Sequence, residues 1–117
     1  MKDENAIRDK SKAFAIRCIR LYKYLTEEKR EFVLSKQLLR SGTSIGANVR
    51  EAIFGQSRSD FASKLSIAQK EAGETEYWLE LLEASEYIND KQSESMLYDC
   101  REIIKLLQSI TKTIYNK

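Results

Sequence analysis

Between positions 34 and 53 the chain carries Leu34, Leu38, Ser41, Ile45, Asn48 and Ala52 at alternating four- and three-residue steps. That spacing winds onto one stripe of an α-helix, and its apolar members place the stripe against a core. Its polar content is what constrains the fold. Ser41 and Asn48 bring a hydroxyl and an amide into the stripe, and Gly42 and Gly46 sit one turn apart beside Leu39, Val49 and Ile53. Two turns without side chains let a second helix approach the backbone more closely than a leucine-lined face allows. The polar groups then need partners, because burying one unpaired costs a few kcal/mol. Ser41, Ser44, Asn48 and Glu51, with Glu71 and Glu74 further along, are therefore the candidates for a structural polar core.

Residues 41–46 also admit a competing reading, since their low helix propensity suits a loop between two short helices. A phosphate-cradling glycine loop is dismissed: no Gly-Lys-Ser/Thr follows and no strand precedes. The composition favours helix throughout, with no proline and four glycines in 117 residues. That length predicts a single domain over residues 1–117, able to bury roughly two thirds of its unfolded surface without staples.

Histidine is absent, which removes the commonest general base and the commonest metal ligand together. Cys18 and Cys100 fall on apolar helix stripes, where a free thiol behaves as a small hydrophobe. With no signal peptide or long apolar run, a reducing cytoplasm is the expected compartment. A disulfide between Cys18 and Cys100 is the lesser alternative and requires the first and last helices to be neighbours. The net charge of +2 hides a polarised chain: residues 1–50 hold twelve Lys and Arg against six Asp and Glu, whereas residues 51–102 hold five against twelve. A basic first half attracts polyanions, and equally the acidic helix of a neighbouring subunit.

Four helices follow from the periodicity. The first is predicted over 4–25, capped by Asp3, with Ile7, Ser11, Phe14, Cys18, Leu21 and Leu25 inward. Arg8, Lys12, Ile16, Ile19 and Lys23, with Arg20 beside them, share its outer side, and two isoleucines there mark a contact surface rather than a purely solvated one. A charged connection over 26–32 leads to the second helix, entered near Ser35 and closed near Gly55. Ser57-Arg58-Ser59-Asp60 has capping-box spacing and opens a third helix over 58–87 with Phe61, Leu65, Ala68, Ala72, Thr75, Leu79 and Leu82 inward. Within it, Glu71 and Glu74 are read as partners for the polar groups of the second helix, and Gly73 as a sign of close approach by another helix. Asn89 or Asp90 caps the last helix, whose inner stripe is Met96, Cys100, Ile103, Leu107, Ile110 and Ile114, with Leu97, Ile104 and Tyr115 adjacent. Short links make the expected fold an all-α, antiparallel up-down-up-down four-helix bundle.

No constellation demands an enzyme, and no cofactor is expected. Glu71, Glu74 and Glu76 suggest a carboxylate metal site, but di-metal bundles use Glu-x-x-His pairs and no histidine exists to complete one. Nucleic-acid binding is the stronger candidate: Arg8, Lys12, Arg20 and Lys23 share a helix side, and Lys105, Lys112 and Lys117 decorate the C-terminal helix. Such binding would be led by charge and shape, since no recognition helix or RNA-stacking motif is present. The bland alternative is that these cations keep helices soluble.

The run Leu38-Leu39-Arg40-Ser41-Gly42-Thr43-Ser44-Ile45-Gly46-Ala47-Asn48-Val49-Arg50-Glu51-Ala52 resembles the four-helix-bundle family of 23S rRNA intervening-sequence proteins. That family's pattern is a Leu, an Arg-Ser, then Ser-Ile and Asn-Ile/Val followed by Glu-Gly/Ala. The likeness continues through Asp60-Phe61, Leu65-Ser66-Ile67-Ala68 and Glu74-Thr75-Glu76-Tyr77-Trp78-Leu79, with departures at Arg50 and Ala52, where a small residue and Gly are common. The resemblance implies a homopentameric ring encoded within an insertion in large-subunit rRNA genes. It also implies kinship with the accessory protein of diversity-generating retroelements, whose basic pentamer surface binds nucleic acid and a reverse transcriptase. By that resemblance the partners of this chain would be its own copies, RNA or DNA, and a reverse transcriptase or other protein, with no membrane. A ring-forming protein-interaction scaffold with no nucleic-acid role is the alternative.

Overall fold

The apolar stripes are taken up by four long helices, α1 (Lys2–Glu27), α2 (Leu34–Ile53), α3 (Arg58–Ala84) and α4 (Asp90–Tyr115). The computed structural model describes residues 2–115; Lys117 and the side chain of Tyr115 lie outside the described residues. Each helix packs on the next in sequence and α4 closes on α1, while the diagonal pairs have no Cα atoms within 8 Å of each other among the described residues. Short links between successive helices make them antiparallel, giving an up-down-up-down bundle of 46 × 21 × 19 Å.

The expected inner stripes are largely the buried ones. Ile7, Ser11, Phe14, Cys18, Leu21 and Leu25 of α1 face inward, opposite Leu38, Ser41, Ile45 and Ala52 of α2. On α3 the row runs Leu65, Ala68, Ala72, Thr75, Leu79 and Leu82, with Ala62 buried where Phe61 was expected. Met96, Cys100, Ile103, Leu107 and Ile110 of α4 complete the core.

Residues 41–46 coil without a break, so the loop alternative falls. The side chains that lower helix propensity here bond back to their own helix: Thr43 donates to the Leu39 carbonyl at 2.7 Å, Ser44 to Arg40 at 2.6 Å and the Asn48 amide to Ser44 at 2.8 Å. The glycines do admit a neighbour, and it is α1. A Cβ placed on Gly42 would lie 2.5 Å from Cys18 Sγ, and one on Gly46 3.4 Å from the Ser11 carbonyl oxygen. Gly73 behaves otherwise. An added Cβ there meets nothing within 4 Å, so the close approach expected at this position is absent and the glycine only weakens α3.

Helix ends follow a different rule from the one the sequence predicts. Ser35 does not cap α2; the N-cap is Val33, which makes no side-chain cap bond. The buried Glu31 carboxylate reaches forward instead and accepts the N–H groups of Val33, Leu34 and Ser35 at 3.1, 2.9 and 2.7 Å. Burial pushes the Glu31 carboxyl up, but those three N–H donors outweigh it and hold its pKa below the ordinary value. Asp3 lies inside the first turn of α1 rather than ahead of it. No glycine terminates a helix in the left-handed region. Arg30 (φ 56) after α1 and Glu86 (φ 67) after α3 adopt it, and α3 ends three residues early in a Schellman turn, with Tyr87 N–H on Leu82 O at 2.9 Å and Glu86 N–H on Glu83 O at 3.0 Å. At α3 the Ser57 hydroxyl accepts the Asp60 N–H at 3.0 Å as expected. At α4, Asn89 and Gln92 exchange side-chain bonds with each other's N–H at 2.8 and 2.9 Å in a full capping box.

The fold makes distinct forecasts for its glycines. Gly42→Ala should destabilise the bundle by about 1–3 kcal/mol in urea titration, and Cys18→Ala in the same chain should recover part of that loss by removing the sulfur, leaving the residue 18 Cβ at 3.0 Å from the new methyl. Gly73→Ala should stabilise by about 1 kcal/mol in the same assay. For Glu31, a lowered folded pKa means stability that is present above the unfolded carboxylate pKa and is lost as pH falls through the folded value. Glu31→Gln should therefore cost about 1 kcal/mol at pH 7, with the gap to the parent closing in acid as the parent's carboxylate protonates.

Candidate nucleic-acid interface

Because the inner stripe of α1 is fixed by the core, its outer face is fixed too. Lys12, Arg20 and Lys23 are exposed there and make no ion pair among the described residues, while Arg8 Nε pairs only with its chain neighbour Asp9 at 3.1 Å. Between them Ile16 and Ile19 stay 40% and 39% exposed. On α2, Lys36 and Arg50 are likewise exposed and without an ion pair among the described residues, and the sequence reading had not singled them out.

The cations that face seams between helices are engaged. Arg17 reaches Asp99 at 2.6 Å and Lys10 reaches Glu102 at 2.9 Å across α1 and α4. Arg40 of α2 spans Glu71, at 3.3 Å, and Glu74 of α3, and Arg101 of α4 meets Glu76 of α3 at 2.7 Å. Hydrogen bonding to Glu71 first, against a burial penalty, then the charges of Glu71 and Glu74, raise the Arg40 pKa further above its already high value. Lys105 and Lys112 are exposed, but they do not join the α1 face. They lie opposite the buried stripe of α4, on its outward face, between Arg101 on the α3 side and Glu102 on the α1 side, where the ion pairs of Arg17 and Lys10 occupy the seam.

The polar core is smaller than expected. Ser41 is fully buried, and its partner is Thr75, whose hydroxyl donates to Ser41 Oγ at 2.8 Å and also has the Glu71 carbonyl within 2.8 Å. Ser41 in turn donates to the Leu38 carbonyl at 3.4 Å. Ser44 and Asn48 are half-buried and served by their own helix. Glu51 leaves the core altogether: it is exposed on the rim of α2 and paired with Lys64 at 3.0 Å. Glu71 and Glu74 are half-buried at the α2 and α3 edge, where Glu74 also accepts from Trp78 Nε1 at 3.4 Å, so they serve Arg40 rather than the hydroxyls of α2. Thr75 had been placed on the inner stripe by periodicity; only the cross-helix geometry exposes its role.

Both cysteines are free and buried. Burial pushes each thiol up to about 12, so neither supplies a thiolate at neutral pH, and Cys100 donates to the Ala72 carbonyl at 3.3 Å. Among the described residues, no helix is long and apolar enough to cross a membrane.

The family model for 23S rRNA-intervening sequence protein matches residues 3–109. The chain belongs to that family. Its fold is similar to the crystal structure of a protein of unknown function from the S23 ribosomal protein family of Bacteroides thetaiotaomicron, at a TM-score of 0.93 and 61% identity, covering 94% of this chain and 98% of that one. No curated protein matches the chain significantly. Family membership agrees with the motif run over 38–52, whose Ser41, Gly42 and Gly46 are the residues that fit α2 to its two neighbours.

The link between Ser41 and Thr75 gives a double-mutant test. Thr75→Val alone should cost about 1 kcal/mol in chemical denaturation, whereas adding Ser41→Ala should cost little more, because the second change removes the hydroxyl left short of a partner.

Proposed function

We propose that this chain is a non-catalytic helical-bundle module that binds RNA or DNA through the outer face of α1. The observation that carries the reading is a sorting of charge: cations at helix seams are paired with acids, while Lys12, Arg20 and Lys23 are exposed without ion pairs among the described residues. Unpaired cations on a rigid helix face suit phosphates, which they bind by displacing counterions. The family description, tied to a 23S rRNA intervening sequence, supports structured RNA as the first probe. Thiols held near 12 and the absence of histidine support binding over chemistry.

A second reading is favoured by Ile16 and Ile19, whose exposure phosphate binding does not explain. In it α1 docks on the acid-rich α3 of another copy, building the ring that the family resemblance implies, to which a reverse transcriptase or other protein partner would attach.

Fluorescence polarisation with a structured RNA, repeated across salt, separates the two. The first reading expects binding at low salt that weakens steeply with salt, and a log–log slope reduced by about one for each of Lys12 and Lys23 changed to Glu. Absence of low-salt binding, or binding indifferent to salt, overturns it. The second expects the same double charge reversal to shift sedimentation toward smaller species, and an unchanged sedimentation profile overturns that one.

A further inference from the structure

We propose that the turn linking α1 to α2 is a stacking platform for unpaired nucleotides, with Phe32 as its principal ring. This rests on the nucleic-acid reading of the α1 face and adds a second, chemically different contact to it. Phe32 is 48% exposed and Val33 beside it 71%. Their exposure is not that of a loose loop. Glu31, immediately before them, is buried, donates its N–H to the Leu25 carbonyl at 2.9 Å, and binds the N–H groups of Val33, Leu34 and Ser35 through its carboxylate. The ring is thus presented by a fixed backbone, and little ordering is left for a ligand to impose.

Two cations of the same turn lie over aromatic rings. The Arg30 guanidinium sits 5.7 Å from the centroid of Phe32, and the Lys29 ammonium 5.9 Å from that of Tyr24. Arg30 holds φ 56, a conformation that costs a residue with a side chain and that glycine would adopt freely. Aromatic rings beside an Arg guanidinium are surfaces that single strands use, because an unpaired base can stack on either plane. The other well-exposed aromatics, Phe54, Tyr77 and Tyr98, have no cation over their rings among the described residues.

The local charges select the kind of nucleic acid. Glu27, Glu28 and the capping carboxylate of Glu31 outnumber Lys29 and Arg30, so the tip offers the dense phosphates of a duplex no net attraction. What it offers is a ring face, and only unpaired bases have a free face to lay on it. The α1 surface, with Lys23 one turn before Glu27, supplies the salt-dependent term, and the tip supplies one that salt barely touches.

The test is fluorescence polarisation with a labelled single-stranded oligonucleotide and a duplex of equal length, across salt, using the parent chain, Phe32→Ala, Phe32→Tyr and Lys12→Glu with Lys23→Glu. Phe32→Ala should weaken single-strand binding about tenfold at an unchanged salt slope and leave the duplex unaffected. Phe32→Tyr, which keeps the ring, should retain parent affinity, and the lysine reversals should weaken both probes and flatten the slope. Parent-like single-strand affinity in Phe32→Ala, or equal loss on both probes, overturns the platform and leaves the α1 reading standing. A change in sedimentation of Phe32→Ala without a change in single-strand affinity makes the tip a protein contact and also overturns it. A parent chain that binds neither probe at low salt overturns the α1 reading, and the platform with it.

Discussion

The bundle depends on how near α1 can come to α2. At Gly42 the space a side chain would fill is already taken by Cys18 Sγ, whereas at Gly46 a Cβ would rest in ordinary contact with the Ser11 backbone, 3.4 Å from its carbonyl oxygen. Interiors pack at crystal-like density, so a gap or overlap of a single methyl at such a contact propagates to every stripe that shares the core. The partners are small by necessity. Cys18 and Ser11 face two glycines on one side, and on the other Ser41 meets Thr75 at 2.8 Å. The second contact explains why hydroxyls are tolerated at fully buried positions: each satisfies the other or a carbonyl of its own helix, and among the described residues no buried side-chain nitrogen or oxygen lacks a partner.

A core fixed in this way determines the charge pattern outside it. Once the inner stripe of α1 is committed, Lys10 and Arg17 must fall at the seam with α4, where Glu102 and Asp99 meet them, and Lys12, Arg20 and Lys23 must point away from every other helix. The excess of cations in residues 1–50 is therefore not spread evenly. Part of it is cancelled in ion pairs that join helices, and three of the remaining cations, Lys12, Arg20 and Lys23, share the outer face of α1. Partly exposed seam pairs contribute little stability singly, so their main consequence is to decide which cations stay available.

The architecture was legible because its signal is redundant. Stripes of five to seven residues at four- and three-residue steps each identify a helix, and one misplaced residue, such as Phe61 standing where Ala62 is buried, does not disturb the set. Single-residue inferences fared less well, for physical reasons. Gly73 and Gly42 look alike in sequence, but only Gly42 faces a neighbour, and that depends on the rotation of each helix about its axis. Ser44 and Asn48 read as groups in need of partners from another helix because bonding back to a carbonyl four residues earlier leaves no trace in composition. Glu31 escaped notice because a cap reaching forward from two residues before the N-cap lies outside the usual Ser, Thr, Asp and Asn rule. The basic face was legible as a row on α1, but its extent was not: Lys105 and Lys112 lie on the outward face of α4, separated from that row by the ion pairs of Lys10 and Arg17 at the seam.

The core and the proposed binding surface use different faces of the same helices. Ile7, Phe14, Cys18 and Leu25 bind α1 to the core, whereas Lys12, Ile16, Ile19 and Lys23 stand outside the buried stripe. The turn at 28–33 divides in the same way. Glu31 is turned inward as a structural cap, while Phe32 and Val33 are turned outward with no packing role that explains their size. Exposed aromatic and branched apolar side chains on rigid backbone carry a cost in solubility and no gain in stability. Their placement beside cations, at positions the core leaves free, is what makes the turn a candidate for the proposed stacking contact.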